Sequence, residues 1–345
     1  MEVCVLKEKC CNIKTSIGGQ ALIEGVMMRG PKKTAMTVRN PEGEMVVEEW
    51  ENETKKRPAF FRLPLVRGVF NFVDSMRFGY KCLMRSAEIA GLDDELDDKP
   101  KKKEETAEIA EAVEVSAENQ EEKAEKKEEK KGSSAAFNAI MVIAMVLAVI
   151  LSITLFIALP SFLYTLLGKW IPFFSEDKRF LRAVFEGFLK IAVLVLYMAL
   201  VSRMKDIRRT FMFHGAEHKT IFCYESGLEL TVENVRTQRR FHPRCGTSFL
   251  IIMVLVGIFV GMLIPTSVPT VLRVAIKILC LPIIMGFGYE LIKLAGKYDN
   301  IITRIISAPG LWLQRITVLE PDDDMIECAI SSMNRVIPED GSDRI

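Results

Sequence analysis

The chain has 345 residues, 49% of them hydrophobic and 26% charged, with a formal net charge of +1. Those averages conceal an acidic stretch at residues 93–131, sixteen Asp/Glu against nine Lys, and a charge-free run at 137–168. About twenty apolar residues already span the hydrocarbon of a bilayer, so the run predicts an integral membrane protein and excludes a purely soluble enzyme.

Residues 1–91 read as a cytosolic α/β segment. The N-terminus carries Glu2, Lys7, Glu8 and Lys9 and has no apolar signal-peptide core. The eight cysteines lack the dense spacing of a secreted disulfide scaffold, which predicts reduced thiols. Ala21–Met28, set among Gly18, Gly19, Gly25 and Gly30, reads as one strand or a tight loop. Thr34–Arg39 and Glu44–Trp50 flank the turn-rich Asn40-Pro41-Glu42-Gly43 and predict a β-hairpin. Phe60–Glu88 has Leu65, Val69, Phe72, Val73 and Met76 at helical spacing. It is too polar to cross a membrane, and predicts a helix lying on the membrane surface or packed within a small α/β domain. Residues 92–135 have almost no large apolar content and predict a charged, low-complexity tether.

Four apolar spans are predicted, at about 136–168, 182–203, 247–265 and 271–293, with Pro160 kinking the first. The second holds Glu186 and Lys190, four apart and able to pair on one helix face. The fold class is therefore an α-helical polytopic membrane protein with a small N-terminal α/β portion. Its parts divide at 136–203 (two spans), 204–246 (a basic segment), 247–293 (two spans) and 294–345 (a cytosolic or interfacial end). Residues 203–247 carry nine Arg/Lys against five acids. Basic loops stay cytosolic, which puts this segment and both termini inside and the protein in the inner (plasma) membrane. Ile301–Ile316 is expected at the interface. Glu320-Pro321-Asp322-Asp323-Asp324 is expected to start a helix over Met325–Val336, with acids at the positive end of its dipole.

All three histidines fall within this basic segment. His214 and His218 sit one turn apart on a helix expected to continue the second span, so both imidazoles can reach one ion. The string His214-Gly-Ala-Glu217-His218 has the H-x-x-E-H form in which two histidines hold a metal and the glutamate acts as general base on water. His242-Pro-Arg-Cys245 adds two further candidate ligands. Four protein ligands make a closed structural site, whereas three leave a catalytic position. His/Cys donors favour Zn²⁺ over Mg²⁺ or Ca²⁺, with iron, nickel and cobalt left open. Without a metal, the same histidines would bond lipid phosphate or neighbouring carboxylates. Glu24 is a candidate additional carboxylate for the site. The positive-inside rule accounts for the basic residues of the segment, and binding of an anionic lipid or a phosphorylated small molecule is the alternative. No stacking aromatics are interleaved with them as in a nucleic-acid module, so nucleic acid is not expected.

Several of these stretches together resemble a bacterial membrane family called YqhQ-like. They are Gly18 to Gly30, Pro64-Leu-Val-Arg-Gly68, His214 to Lys219, His242-Pro-Arg-Cys-Gly-Thr-Ser248 and Glu320-Pro-Asp-Asp323. The resemblance covers nearly the whole chain outside the tether. It implies a family of unknown function described as a predicted metal-dependent enzyme. The resulting expectation is a metal-dependent membrane hydrolase with Glu217 as base, His214, His218 and His242 or Cys245 as ligands, and Arg29 and Arg67 positioning an anionic substrate. Peptide and lipid-phosphate substrates stand equal. Two alternatives belong to other classes: a scaffold with a structural metal, and a transporter or regulator with Glu186 and Glu290 along an internal path.

Overall fold

The computed structural model describes residues 13–52, 58–91, 143–175, 178–265, 267–298 and 300–344. The predicted tether, the start of the first apolar run and Cys4, Cys10 and Cys11 lie outside them.

The N-terminal segment forms an antiparallel meander, β1 (Gly18–Leu22), β2 (Gly25–Arg29), β3 (Lys33–Arg39) and β4 (Met45–Glu51), in sheet order 1-2-3-4. The predicted β3–β4 hairpin is present, closed by Arg39 opposite Met45. Asn40 N–H donates to the Glu44 carbonyl at 3.0 Å, and the Asn40 side chain accepts from Glu44 N–H at 2.7 Å. Ala21–Met28 differs from its expected form. It is two strands that double back at Ile23-Glu24, with Glu24 in the left-handed region at φ 50°. The turn was hidden because β2 is buried on both faces, Val26 and Met28 to one side and Met27 to the other, so the stretch reads as one apolar run.

Helix α1 (Val66–Ile89) follows. It starts later than the expected Phe60, because Pro64 and Leu65 (φ 70°) interrupt the backbone after a single 3₁₀ turn at Ala59–Arg62. Cys82 seats it in one face of the sheet, beside Leu22, Met27 and Met36. Val73, Met76 and Tyr80 remain exposed.

Apart from two short helical turns at Pro172–Ser175 and Val232–Arg236, the helices that follow are α2 (Ile143–Trp170), α3 (Arg179–Val201), α4 (Lys205–Glu225), α5 (Gly246–Leu263), α6 (Thr270–Leu279), α7 (Leu281–Lys297), α8 (Ile301–Thr317) and α9 (Asp323–Val336). Helices α2, α3 and α5 are long and apolar enough to cross a membrane. The pair α6 and α7 makes a fourth if it is counted as one span bent by 47°. The sequence suggested a continuous helix there. The break falls at Cys280, where Pro282 at the start of α7 has no N–H to continue the ladder. Within α2 the expected kink at Pro160 takes the form of a π turn at Thr154–Ala158, just before the proline.

Contrary to expectation, helix α4 does not continue α3. The backbone breaks at Ser202–Met204, where Met204 is extended (ψ 134°), and α4 leaves the apolar bundle. It packs on the outer face of the sheet together with α9. Ile17, Val26, Met28 and Ala35 meet Phe213, Ala216 and Ile221 of α4 and Met325, Ala329 and Met333 of α9 in one core. The three stretches most distant in sequence thus build one module, with Asp323 and Asp324 in the first turn of α9 as expected.

Candidate metal centre

Helix α4 carries His214, Glu217 and His218 on the side turned toward Cys245, and Cys245 is the residue that caps the N-terminus of α5. One ligand atom each from His214, His218 and Cys245 lies within 4.8 Å of the others. The two imidazoles sit with centroids 4.5 Å apart, as two histidines one turn apart on a helix require.

Both rings are oriented from behind. His214 Nδ1–H donates to the Thr317 carbonyl at 3.0 Å, and His218 Nδ1–H donates to the Arg240 carbonyl at 2.5 Å. A carbonyl only accepts, so each Nδ1 must carry the proton and each Nε2 presents its lone pair. His214 Nε2 faces Cys245 Sγ at 3.2 Å. A backbone carbonyl accepting from the far ring nitrogen fixes the tautomer of a histidine that binds a metal through the other. The donor set of two Nε2 lone pairs and one sulfur suits Zn²⁺.

Glu217 is buried beside this group, one carboxylate oxygen 3.9 Å from His214 Nε2. Burial pushes its carboxyl up from the usual range, against the opposing pull of His214 and the Gly19 N–H. Gly19 is glycine for a steric reason. A Cβ there would lie 2.7 Å from Glu217 Cγ and 2.8 Å from the Met27 carbonyl oxygen. Strand β1 therefore reaches the carboxylate only with a bare backbone.

The loop bearing His242 and Cys245 is fastened by Gln314 of α8. Its side chain accepts from His242 N–H at 2.8 Å and donates to the His242 carbonyl at 2.7 Å and to Ser248 Oγ at 3.1 Å. Behind His218, Lys219 donates to Glu320 and to the Arg236 carbonyl at 2.9 Å, and Arg240 donates to Glu320 at 3.0 Å. The Glu320-Pro-Asp-Asp323 stretch thereby positions the carbonyl that holds His218.

His242 itself stands outside the cluster, which corrects its expected place among the ligands. Its Nδ1 accepts the Arg244 N–H at 3.3 Å, and its Nε2 faces Glu225 at 3.8 Å. Nε2 also stands 3.3 Å from the Arg244 guanidinium, so both nitrogens face protein groups rather than the cluster. Burial pushes His242 down to about 4, so the ring is neutral. Burial works against the Glu225 carboxylate, yet His242 and the Arg244 guanidinium hold it below the usual range. The ring packs 4.6 Å from Phe222 and 5.6 Å from His218 and acts as a wedge.

The other expected site residues are engaged elsewhere. Glu24 takes a two-pronged ion pair from Arg209 at 2.5 and 2.6 Å. Arg67 does the same to Glu290 at 2.7 and 2.6 Å, and Arg29 lies over the Phe78 ring at 5.5 Å. Glu186 pairs with Lys277 and with Arg182 at 3.2 Å and accepts from Ser161 Oγ at 3.0 Å, rather than taking the expected Lys190. Glu186 and Glu290 thus sit in separate ion pairs, which removes the basis for a shared path. Among the described cysteines, burial pushes Cys82 up to about 12 and Cys223 and Cys328 up to about 11, leaving them unreactive.

A family model described as "Protein of unknown function (DUF1385)" matches residues 63–339. The uncharacterized protein YqhQ of Bacillus subtilis (strain 168) is 33% identical over 334 residues, covering 94% of this chain and 93% of that protein. No solved structure matches. The match spans α1 to α9 and takes in every residue of the His/Cys cluster, and on this ground the chain belongs to the DUF1385 family.

Proposed function

We propose that this protein is a multi-pass membrane protein with a divalent-metal site at its cytosolic face, and that the site is hydrolytic. The observation that carries the metal is the pair of backbone carbonyls aiming His214 Nε2 and His218 Nε2 at one point beside Cys245 Sγ.

The membrane reading rests on parity. The sheet, α4 and α9 share one core and so occupy one side of the bilayer. Helices α2 and α3 lie between the sheet and α4, giving two crossings. Between α4 and α9 lies α5, and a second crossing is needed to bring the chain back; the bent pair α6–α7 supplies it. The shared core carries the basic segment, which places it in the cytosol. A protease-cleavage site inserted between α2 and α3 is expected to be cut from outside intact cells, and one inserted at Leu228 only after lysis. Equal protection of both would overturn the topology.

At the site, His214, His218 and Cys245 would hold the ion, which supplies Lewis acidity. Three protein ligands leave one position open for substrate or water. Glu217, buried with a raised affinity for its proton, is placed to take a proton from water and return it to a leaving group. Gly19 N–H orients its carboxyl. Both of the substrate classes expected from sequence, peptide and lipid-phosphate bonds, fit this chemistry.

The test is metal content of detergent-purified full-length protein. Wild type is expected to hold near-stoichiometric metal, and His214→Ala, His218→Ala and Cys245→Ala to lose it. His242→Ala should keep it, because both of its ring nitrogens face protein groups. Background metal in folded wild type after zinc supplementation sinks the proposal. The second reading, a closed structural clamp, draws on the 3.9 Å between Glu217 and His214 Nε2. It predicts that Glu217→Gln loses metal and folding together, whereas a general base predicts that Glu217→Gln keeps both.

A further inference from the structure

The segment 203–247 contains seven arginines, and five of them have partners. Arg209 pairs with Glu24, Arg236 with Asp323, Arg240 with Glu320 and Arg244 with Glu225, while Arg239 lies over the Phe222 ring at 4.4 Å. The two without an ion pair, a side-chain hydrogen bond or a ring contact among the described residues are Arg203 and Arg208, and both line one cavity of about 300 Å³. A third arginine, Arg315 from the last turn of α8, lines the same open cavity and has no carboxylate partner among the described residues either. Ser202 adds a hydroxyl, and Ile316 and Leu319 form an apolar wall.

We propose that this cavity is a binding site for a phosphate-bearing anion. Three exposed arginines line one space, like charges that repel one another, and no acid is among the residues lining it. Four of the other five arginines of the segment pair with carboxylates, three of them across long sequence distances, so the omission here is local. Guanidiniums present forked donors that match phosphate oxygens. The volume lies at the small end of ligand pockets, which suits a single headgroup or a small phosphate ester.

The cavity's place in the fold favours a lipid as the source. It opens where the apolar run of α3 ends, between Ala199 and Arg203. Trp312 stands three residues before Arg315 on α8 and is 52% exposed, as tryptophans at the headgroup level of a membrane are. This choice of source rests on the membrane reading above. The anion site does not rest on the metal. It is nevertheless next to it: Leu319 lines the cavity and packs against Gly215, and Thr317 between them holds His214. The arginines expected from sequence to take an anion, Arg29 and Arg67, are occupied; this second set is open.

The test uses full-length protein in detergent, with phosphatidylglycerol and phosphatidylcholine as lipid probes and inorganic phosphate as the soluble probe. Wild type should bind phosphatidylglycerol in preference to phosphatidylcholine. Arg203→Gln/Arg208→Gln/Arg315→Gln should weaken that binding at least tenfold, and Arg315→Gln alone should weaken it measurably. Lys205→Gln, which removes a nearby charge outside the cavity, should leave it unchanged. Retention of phosphatidylglycerol against millimolar inorganic phosphate supports the headgroup. Displacement by inorganic phosphate supports the anion site and assigns it to a soluble ester. Metal content and thermal midpoint, measured on the same variants, are expected to match wild type, which separates this site from the metal site and from misfolding. If the triple variant is folded and binds both probes as wild type does, or if Lys205→Gln is as damaging as Arg315→Gln, the proposal is overturned.

Discussion

Replacing Glu186 with alanine is expected to destabilise the protein by about 3–5 kcal/mol, the cost of breaking a buried ion pair from one side. Glu186 lies between the apolar helices and is 4% exposed. It accepts from Lys277 of α6 and from Arg182 and Ser161. Lys277 and Arg182 are themselves buried, and Arg273 of α6 is buried a turn away. Removing the acid leaves two buried cations with no counter-charge, since Ser161 Oγ at 2.9 Å from Lys277, and Thr165 Oγ1 at 3.2 Å and the Tyr164 ring at 5.1 Å from Arg182, are all neutral. The intact pair need not add much to stability, because desolvation cancels most of its attraction. The loss arises from the orphaned charge. Glu186→Ala/Lys277→Met should therefore be more stable than Glu186→Ala alone, since the unpaired ammonium leaves with the second change. Thermal unfolding in detergent, followed by loss of soluble protein, measures both. A Glu186→Ala midpoint within a degree or two of wild type, or a double variant no better than the single, would show that the cluster is hydrated rather than dry.

Glu186 also marks the limit of what the sequence displays. A lysine four residues away on the same helix is visible, but Lys277 is 91 residues distant, and helix-to-helix packing decides between them. The histidine spacing was legible because it is a property of one helix: His214 and His218 must share a face wherever α4 lies. The sequence offered Cys245 as a candidate ligand, but its return onto α4 is a fact of tertiary structure. The misassigned ligand, His242, shows what was missing. Whether a ring nitrogen can bind an ion depends on what occupies it. Here Arg244 N–H and Glu225 occupy both, a fact of tertiary structure. The carbonyls of Thr317 and Arg240 carry no residue-type signal at all, since any residue can offer one. Gly18-Gly19 did offer a signal. A glycine pair opening a strand marks close backbone approach, though the sequence could not name Glu217 as what approaches. The hairpin at Asn40–Gly43 and the helix from Asp323 were legible for the opposite reason, since local turn and capping chemistry determines them.

Gly215→Ala is expected to be the most damaging single methyl added to the protein. Gly215 stands between His214 and Glu217, and a Cβ there would fall on the Leu319 carbonyl oxygen, with Pro321 Cδ at 3.2 Å behind it. The obstructing atom is backbone and cannot rotate away. Nor can this segment retreat freely, because Leu319 N–H donates to the Phe211 carbonyl at 2.9 Å and Val318 N–H to the Gln314 carbonyl at 2.8 Å. Relief requires residues 317–320 to move off α4. That movement withdraws the Thr317 carbonyl from His214 Nδ1, the contact that orients that ring, and Glu320 from Arg240, whose carbonyl holds His218. Overpacking of this kind costs about 1–3 kcal/mol, and loss of an orienting partner lowers metal affinity about 10- to 100-fold. Gly18→Ala supplies the comparison, since nothing lies within 4 Å of the added methyl, and should be neutral. Thermal midpoint and zinc competition against a chelator, measured on the same preparations, separate the two effects. A lowered midpoint with unchanged zinc affinity would leave Gly215 as a packing residue only and would refute the role given to the Thr317 carbonyl. Falls in both would tie the close contact between α4 and the chain leaving α8 to the tautomer of His214, and so to which of its nitrogens meets the ion.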